Sequence, residues 1–146
     1  ARYACGYQSF TPGRHEGDAL MWCKLDDKLH NHQKARRAGL EAMGLWTVCL
    51  SYCGDQLTDG FVPAWYVATW IPGRKGVALA DRLVAAGLWE RAELDGEKGW
   101  QVHDYLAHNP SREKVIADRE AAAKRQAAWR AQKALEEAKR VGDAVG

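Results

Sequence analysis

The sequence predicts a mainly α chain with one small β-hairpin, an α+β fold, followed by a long C-terminal α-helix. Three observations lead there. Two short helical runs, AWYVATW and VALADRLVAAG, flank a Gly-containing turn at IPGRKG. Two strand-like runs, WERAEL and GWQVHDY, are joined by DGEKG. From Ser111 to Arg140 there is no Gly or Pro. Apolar residues make up 47% of the 146 residues, with seven Trp, which is enough for one buried core and an appendage.

The elements follow in chain order. Residues 1–20 show no clean period and hold Gly6, Pro12, Gly13 and Gly17, so they read as an N-terminal extension. Tyr3, Tyr7 and Phe10 are suited to packing on something, and a disordered leader is the alternative. A domain over residues 21–108 opens with WCKL, a short strand or extended entry. Leu40, Met43, Gly44, Trp46, Thr47 and Leu50 then recur at helical spacing. They predict a helix over about 34–53, broken near Gly39 and stopped at Gly54.

Asp59-Gly60 turns the chain into a short strand, FVP, and Pro63 suits the first position of the next helix. After the turn at Pro72, Gly73 and Gly76, a second short helix ends at Gly87. Val77, Ala80, Leu83 and Val84 are expected to face its core, with Ala78, Asp81, Arg82 and Ala85 outward. The hairpin follows, its second strand carrying His103 and Asp104 at its end. Two short helices across a turn, then a two-stranded flap, is the order of a winged helix-turn-helix. Its expected buried centre is Trp46, Leu83, Leu88 and Trp100.

Residues 109–146 form the last segment. Asn109 and Pro110 offer an N-cap and a first helical position, and Ala, Lys, Arg, Glu and Gln fill the run. This tail carries a net charge of +3, against −1 for residues 21–108. Val115, Ile116, Trp129 and Leu135 make no sustained heptad stripe, which argues against an autonomous coiled coil. Val115 and Ile116 are placed to dock the first turns on the domain.

Several function classes are excluded on these grounds. No run of 18 apolar residues exists, so no membrane span is expected. The N-terminus lacks a basic stretch followed by an apolar core, so no secretory signal is read, and a cytoplasmic chain with reduced thiols is expected. Cys49 and Cys53 lie one helical turn apart, but Cys5 and Cys23 would have to converge on them to hold zinc. Buried free Cys is the preferred reading, with no metal or cofactor. No motif places a nucleophile, no phosphate loop or dinucleotide fingerprint occurs, and His103-Asp104 sits at a strand end. The chain is read as one that binds and does not catalyse.

Three basic clusters are the candidate contacts. Arg74 and Lys75 flank the Gly73 turn at a helix N-terminus, where backbone N–H groups also favour anions, and Arg82 lies on the outward face of that helix. Lys34, Arg36 and Arg37, with His30 and His32, open the first helix, where positive charge opposes the macrodipole unless an external anion answers it. Lys124, Arg125, Arg130 and Lys133 surround Trp129 in the tail, an arrangement met in single-strand binding. A solvated face is the alternative for each cluster. For the tail, a protein partner or self-association is a further one. Against DNA, Asp81 sits beside Arg82, and the hairpin tip is acidic through Glu93, Asp95 and Glu97.

The stretches GLWTVCLSYCGDQLTDGFVP, LVAAGLWER and GWQVHDYLAHNPSREKV resemble a family of replication-initiator-like, helix-turn-helix proteins common in actinobacterial phages and prophages. That family is similar in layout to the N-terminal winged helix of DnaD-type primosome proteins. The likeness covers about residues 21–130, leaving the extension outside it. It implies DNA-associated work in phage replication or regulation in a bacterial host, with no catalytic residue. Two expectations stand side by side. One is a DNA-binding protein making mainly backbone contacts with weak sequence preference. The other is a protein-interaction module that docks replication, transcription or recombination machinery.

Overall fold

The computed structural model describes residues 24–145. The expectations for residues 1–20 and for Trp22 and Cys23 therefore lie outside the described residues. After a 3-10 turn at Leu29–Asn31 come α1 (Gln33–Ala38) and α2 (Leu40–Gln56), then β1 (Phe61–Pro63) and α3 (Ala64–Trp70). Next are α4 (Arg74–Ala85), β2 (Trp89–Leu94) and β3 (Glu97–Val102), then α5 (Tyr105–His108) and α6 (Arg112–Val145). The fold is mainly helical with a small antiparallel sheet and a long C-terminal helix. Among the described residues, one compact unit covers 24–116, so the first turn of α6 belongs to it, and the other includes α6 from Ala117 onward.

The break at Gly39 is present. Gly39 has φ +83°, a value that L side chains rarely adopt, and it separates α1 from α2. The predicted stop at Gly54 is not where α2 ends. Gly54 is buried inside the helix, and the chain leaves the α conformation at Leu57, which has φ +54°. The buried face also differs from the periodic reading. Ala42, Leu45, Cys49, Leu50 and Cys53 point inward, whereas Leu40 is 91% exposed. α2 is apolar around most of its girth, so its packing partners, not its period, choose the face.

Asp59 and Gly60 both take positive φ, and Phe61 N–H donates to the Thr58 carbonyl at 3.1 Å, closing the turn into β1. Pro63 is the cap residue before α3, one position ahead of the first helical place expected for it. Gly76 belongs to the first turn of α4 and not to the preceding loop. A Cβ there would collide with the Ile71 carbonyl oxygen, so the absence of a side chain lets α4 begin directly over the end of α3. The inward face of α4 is Gly76, Leu79, Ala80 and Leu83, while Val77, expected inside, is half exposed.

α4 ends as the sequence predicts. Leu88 N–H donates to the Leu83 carbonyl and Gly87 N–H to the Val84 carbonyl, at 3.0 and 2.9 Å, with Gly87 at φ +74°. Gly87→Ala puts a Cβ into this left-handed position and is expected to cost about 1–2 kcal/mol. Urea unfolding followed by circular dichroism checks it.

The hairpin turn is only Asp95-Gly96, both at positive φ, with Glu97, Lys98 and Gly99 already in β3. β3 is the central strand of a sheet ordered β1-β3-β2, pairing Val62 with Trp100 and Trp89 with Val102. β3 stops at Val102. Asp104 has φ +55°, and Tyr105 opens α5 and is buried, so His103 and Tyr105 do not continue the strand. The cap of α6 is Ser111, whose Oγ accepts from Lys114 N–H at 3.3 Å, and not Asn109, whose side chain donates to the Tyr105 carbonyl. Arg112 N–H donates to Asp59 Oδ1 at 2.6 Å, tying the helix start to the β1 turn. Val115 is buried and Ile116 is 39% exposed.

Leu83 and Trp100 lie in one buried cluster with Val62, Val67, Trp89 and Val102, and Trp46 and Leu88 pack against it partly buried. The four residues expected at the centre therefore do share it. Cys49 and Cys53 form no disulfide and are buried in the same cluster. Burial, and then the neighbouring Cys53, pushes the Cys49 thiol up to about 12 from its ordinary 9.0. The protonated thiol is thus favoured by folding. Its contribution to stability is full below about pH 9 and is lost as pH rises toward about 12. Native protein treated with iodoacetamide at mildly alkaline pH is expected to leave Cys49 unmodified, and unfolded protein to lose that protection, as read by peptide mass spectrometry.

Candidate nucleic-acid interface

α4 presents its outward face between two ion pairs. On one side Lys75 Nζ meets Glu41 Oε1 of α2 at 2.7 Å. The Lys75 ammonium holds the Glu41 carboxyl below its ordinary range, first by hydrogen bonding and then by charge, with a smaller contribution from Arg82. On the other side Arg91 Nη2 of β2 donates to Asp81 Oδ1 at 2.7 Å. Asp81, which from sequence alone would repel phosphate beside Arg82, is thereby matched by a cation. Arg91 was not a sequence candidate. The signal that could have found it is strand alternation, which puts it on the helix-facing side with Trp89.

Arg74 and Arg82 are exposed and make no ion pair among the described residues. The Arg82 guanidinium lies against Gly39, where a Cβ would strike it. This brings Arg82 to the joint between α1 and α2, next to the segment carrying Arg36 and Arg37. Those two arginines occupy the last turn of α1, because the helix ends at Ala38. The expectation that they oppose the macrodipole is therefore corrected. At a C-terminus their charge is favourable, and no external anion is needed to explain it. Gly73 caps α4 without a side-chain hydrogen bond, and no acidic residue occupies the first turn. The backbone N–H groups there share the surface with the Arg74 and Lys75 side chains.

Lys34 does different work. Its Nζ donates to the Gly87 carbonyl at 3.2 Å in a partly buried position, so it satisfies an end-of-helix acceptor of α4. It joins α1 to the α4–β2 corner and is the least available of the candidates. The hairpin tip stays acidic, with Glu93 directly opposite Lys98 and Glu97 opposite the half-exposed Leu94. His103 Nδ1 lies 2.8 Å from Asp104 Oδ2, a local pair beyond the strand end.

In the second unit, Lys124, Arg125 and Arg130 are exposed on α6. Lys133 Nζ lies 5.1 Å from the centroid of Trp129, one helical turn away. No group of three or more potential metal ligands occurs among the described residues. None of the described helices is long and apolar enough to cross a membrane. No protein family, curated protein or solved structure matches the chain.

Proposed function

We propose that the chain is a winged-helix DNA-binding protein, working in phage DNA replication or its regulation, that grips DNA mainly through the backbone. The observation that carries this reading is the face of α4. Arg74, Lys75 and Arg82 belong to it, the end of α1 that carries Arg36 and Arg37 meets it at Arg82, and Glu41 and Asp81 are each paired with a cation. Ala78 and Ala85 are exposed on that helix and small, which lets it approach a groove closely. They carry no hydrogen-bonding group, so sequence preference is weak. The phage setting rests on the family likeness alone.

Such binding is electrostatic and falls steeply with salt. Gel-shift titrations of duplex and single-stranded DNA at two salt concentrations test it, and no binding to either at low salt overturns it. The acidic hairpin tip favours a second reading, a module that docks replication, transcription or recombination proteins, with α6 as an arm. A specific pull-down partner that competes with no DNA would support that reading instead.

A further inference from the structure

Four aromatic rings lie together on the domain surface and take no part in the proposed duplex contact. Tyr52 of α2 stacks on Tyr66 of α3 at 3.9 Å between centroids and 25° between planes. Trp65 stands edge-on to both, at 6.2 and 6.0 Å. The Trp70 indole N–H donates to the Tyr66 hydroxyl at 3.1 Å. Trp65 and Trp70 are nevertheless 54% and 57% exposed. The two tyrosines cover each other and hold the tryptophans in place, while Trp65 and Trp70 keep about half their surface in water.

The surroundings say what such a surface suits. The other exposed positions of α3 are Ala64, Ala68 and Thr69, so the patch is aromatic and not aliphatic. α3 ends at Trp70, and α4 begins four residues later with Arg74 and Lys75. That link spans at most about 15 Å, at 3.8 Å per Cα step. Exposed rings followed within a short length of chain by Arg74, which makes no ion pair among the described residues, have the chemistry that holds single strands. Bases of any sequence stack on the rings, and the phosphates meet the positive charge.

We infer that Trp65 and Trp70, positioned by Tyr66 and Tyr52, form a stacking platform for the unpaired bases of single-stranded DNA. The inference rests on the DNA-binding reading above and adds to it a preference for melted or forked DNA. On this account one strand would run from α3 onto Arg74 and Lys75.

The test is fluorescence anisotropy with the full chain, using a labelled oligodeoxythymidine and a duplex of equal length. Trp65→Ala and Trp70→Ala should each weaken oligodeoxythymidine binding roughly tenfold and leave duplex binding unchanged. Trp65→Phe and Trp70→Phe should keep most of the affinity, while Trp65→Leu and Trp70→Leu should lose it. This separates ring stacking from generic apolar contact even if an alanine variant folds poorly. Leucine variants that bind like the parent overturn the inference. So does duplex binding with an oligodeoxythymidine affinity that ignores both tryptophans, and that result leaves the duplex reading standing. Oligodeoxythymidine binding that needs the rings, without duplex binding, supports the platform and removes the duplex contact. Light scattering that shows self-association abolished by the same alanine variants, with no oligonucleotide bound, assigns the patch to a second copy and overturns the inference.

Discussion

Arg74, Lys75 and Arg82 changed together to Ala are expected to weaken duplex binding about 100- to 1000-fold at low salt, taking about tenfold for each lost charge-assisted contact. The two arginines account for most of it. Lys75 is already engaged by Glu41, so less of its charge is free for phosphate, but its removal also uncovers the Glu41 carboxylate on the binding face. The salt dependence gives a second and sharper readout. If all three side chains touch phosphate, the slope of log affinity against log salt becomes shallower by about 2 to 3. A loss of affinity with an unchanged slope would mean that the residues act through folding. All three are solvent-exposed, so thermal melting of the triple variant should match the parent. The comparison variant changes Lys124, Arg125 and Arg130 on α6 to Ala. If that variant loses more affinity than the first, the contact belongs to the long helix, and the assignment to α4 fails.

How much of this was legible in the sequence depends on how local the cause is. Asp59-Gly60, Gly87 and Asp95-Gly96 were readable because each turn is decided by one or two residues that tolerate positive φ. The second helix of the turn motif and the long tail were readable for the same reason, from composition and punctuation. Buried faces were less so. Leu40 and Val77 fit an apolar period and yet lie in water, while Leu79, not among the expected core residues, is inside. Only the neighbouring helix decides between two apolar stripes. The pairing of β1 with β3 is non-local and leaves no trace in spacing.

The electrostatic character of the interface was the least legible part. Asp81 looked like an obstacle until the fold set Arg91 against it, and Glu41, which the sequence did not bring to notice, meets Lys75. Lys34 looked like a contact until the fold turned it onto the Gly87 carbonyl. The aromatic platform went unread because Tyr52 reaches it from a different helix.

Trp89→Ala is the substitution expected to damage the fold most. Trp89 is 1% exposed, the largest of the fully buried side chains, and its ring centroid lies 5.8 Å from that of Trp100. It follows directly on the Gly87-Leu88 helix end, which leaves the backbone little room to close a cavity. Truncation to Ala should cost about 3–5 kcal/mol, measured by urea or thermal unfolding. Set against a total of about 5–15 kcal/mol for an ordinary domain, that removes from about a fifth to all of it.

Trp89→Phe separates two contributions within that loss. The indole N–H is buried with no acceptor among the described residues, and an unsatisfied donor costs about 1–3 kcal/mol. Phe removes that donor along with part of the ring, so the two effects oppose each other and the net cost should stay near 1 kcal/mol or below. A phenylalanine variant as unstable as the alanine variant would show that the indole N–H has a partner, and that Trp89 acts as a polar anchor and not as bulk. Because Trp89 shares its strand and face with Arg91, the same phenylalanine variant should keep the Asp81 pair intact and bind DNA as the parent does. Reduced binding at unchanged stability would make β2 part of the interface in its own right.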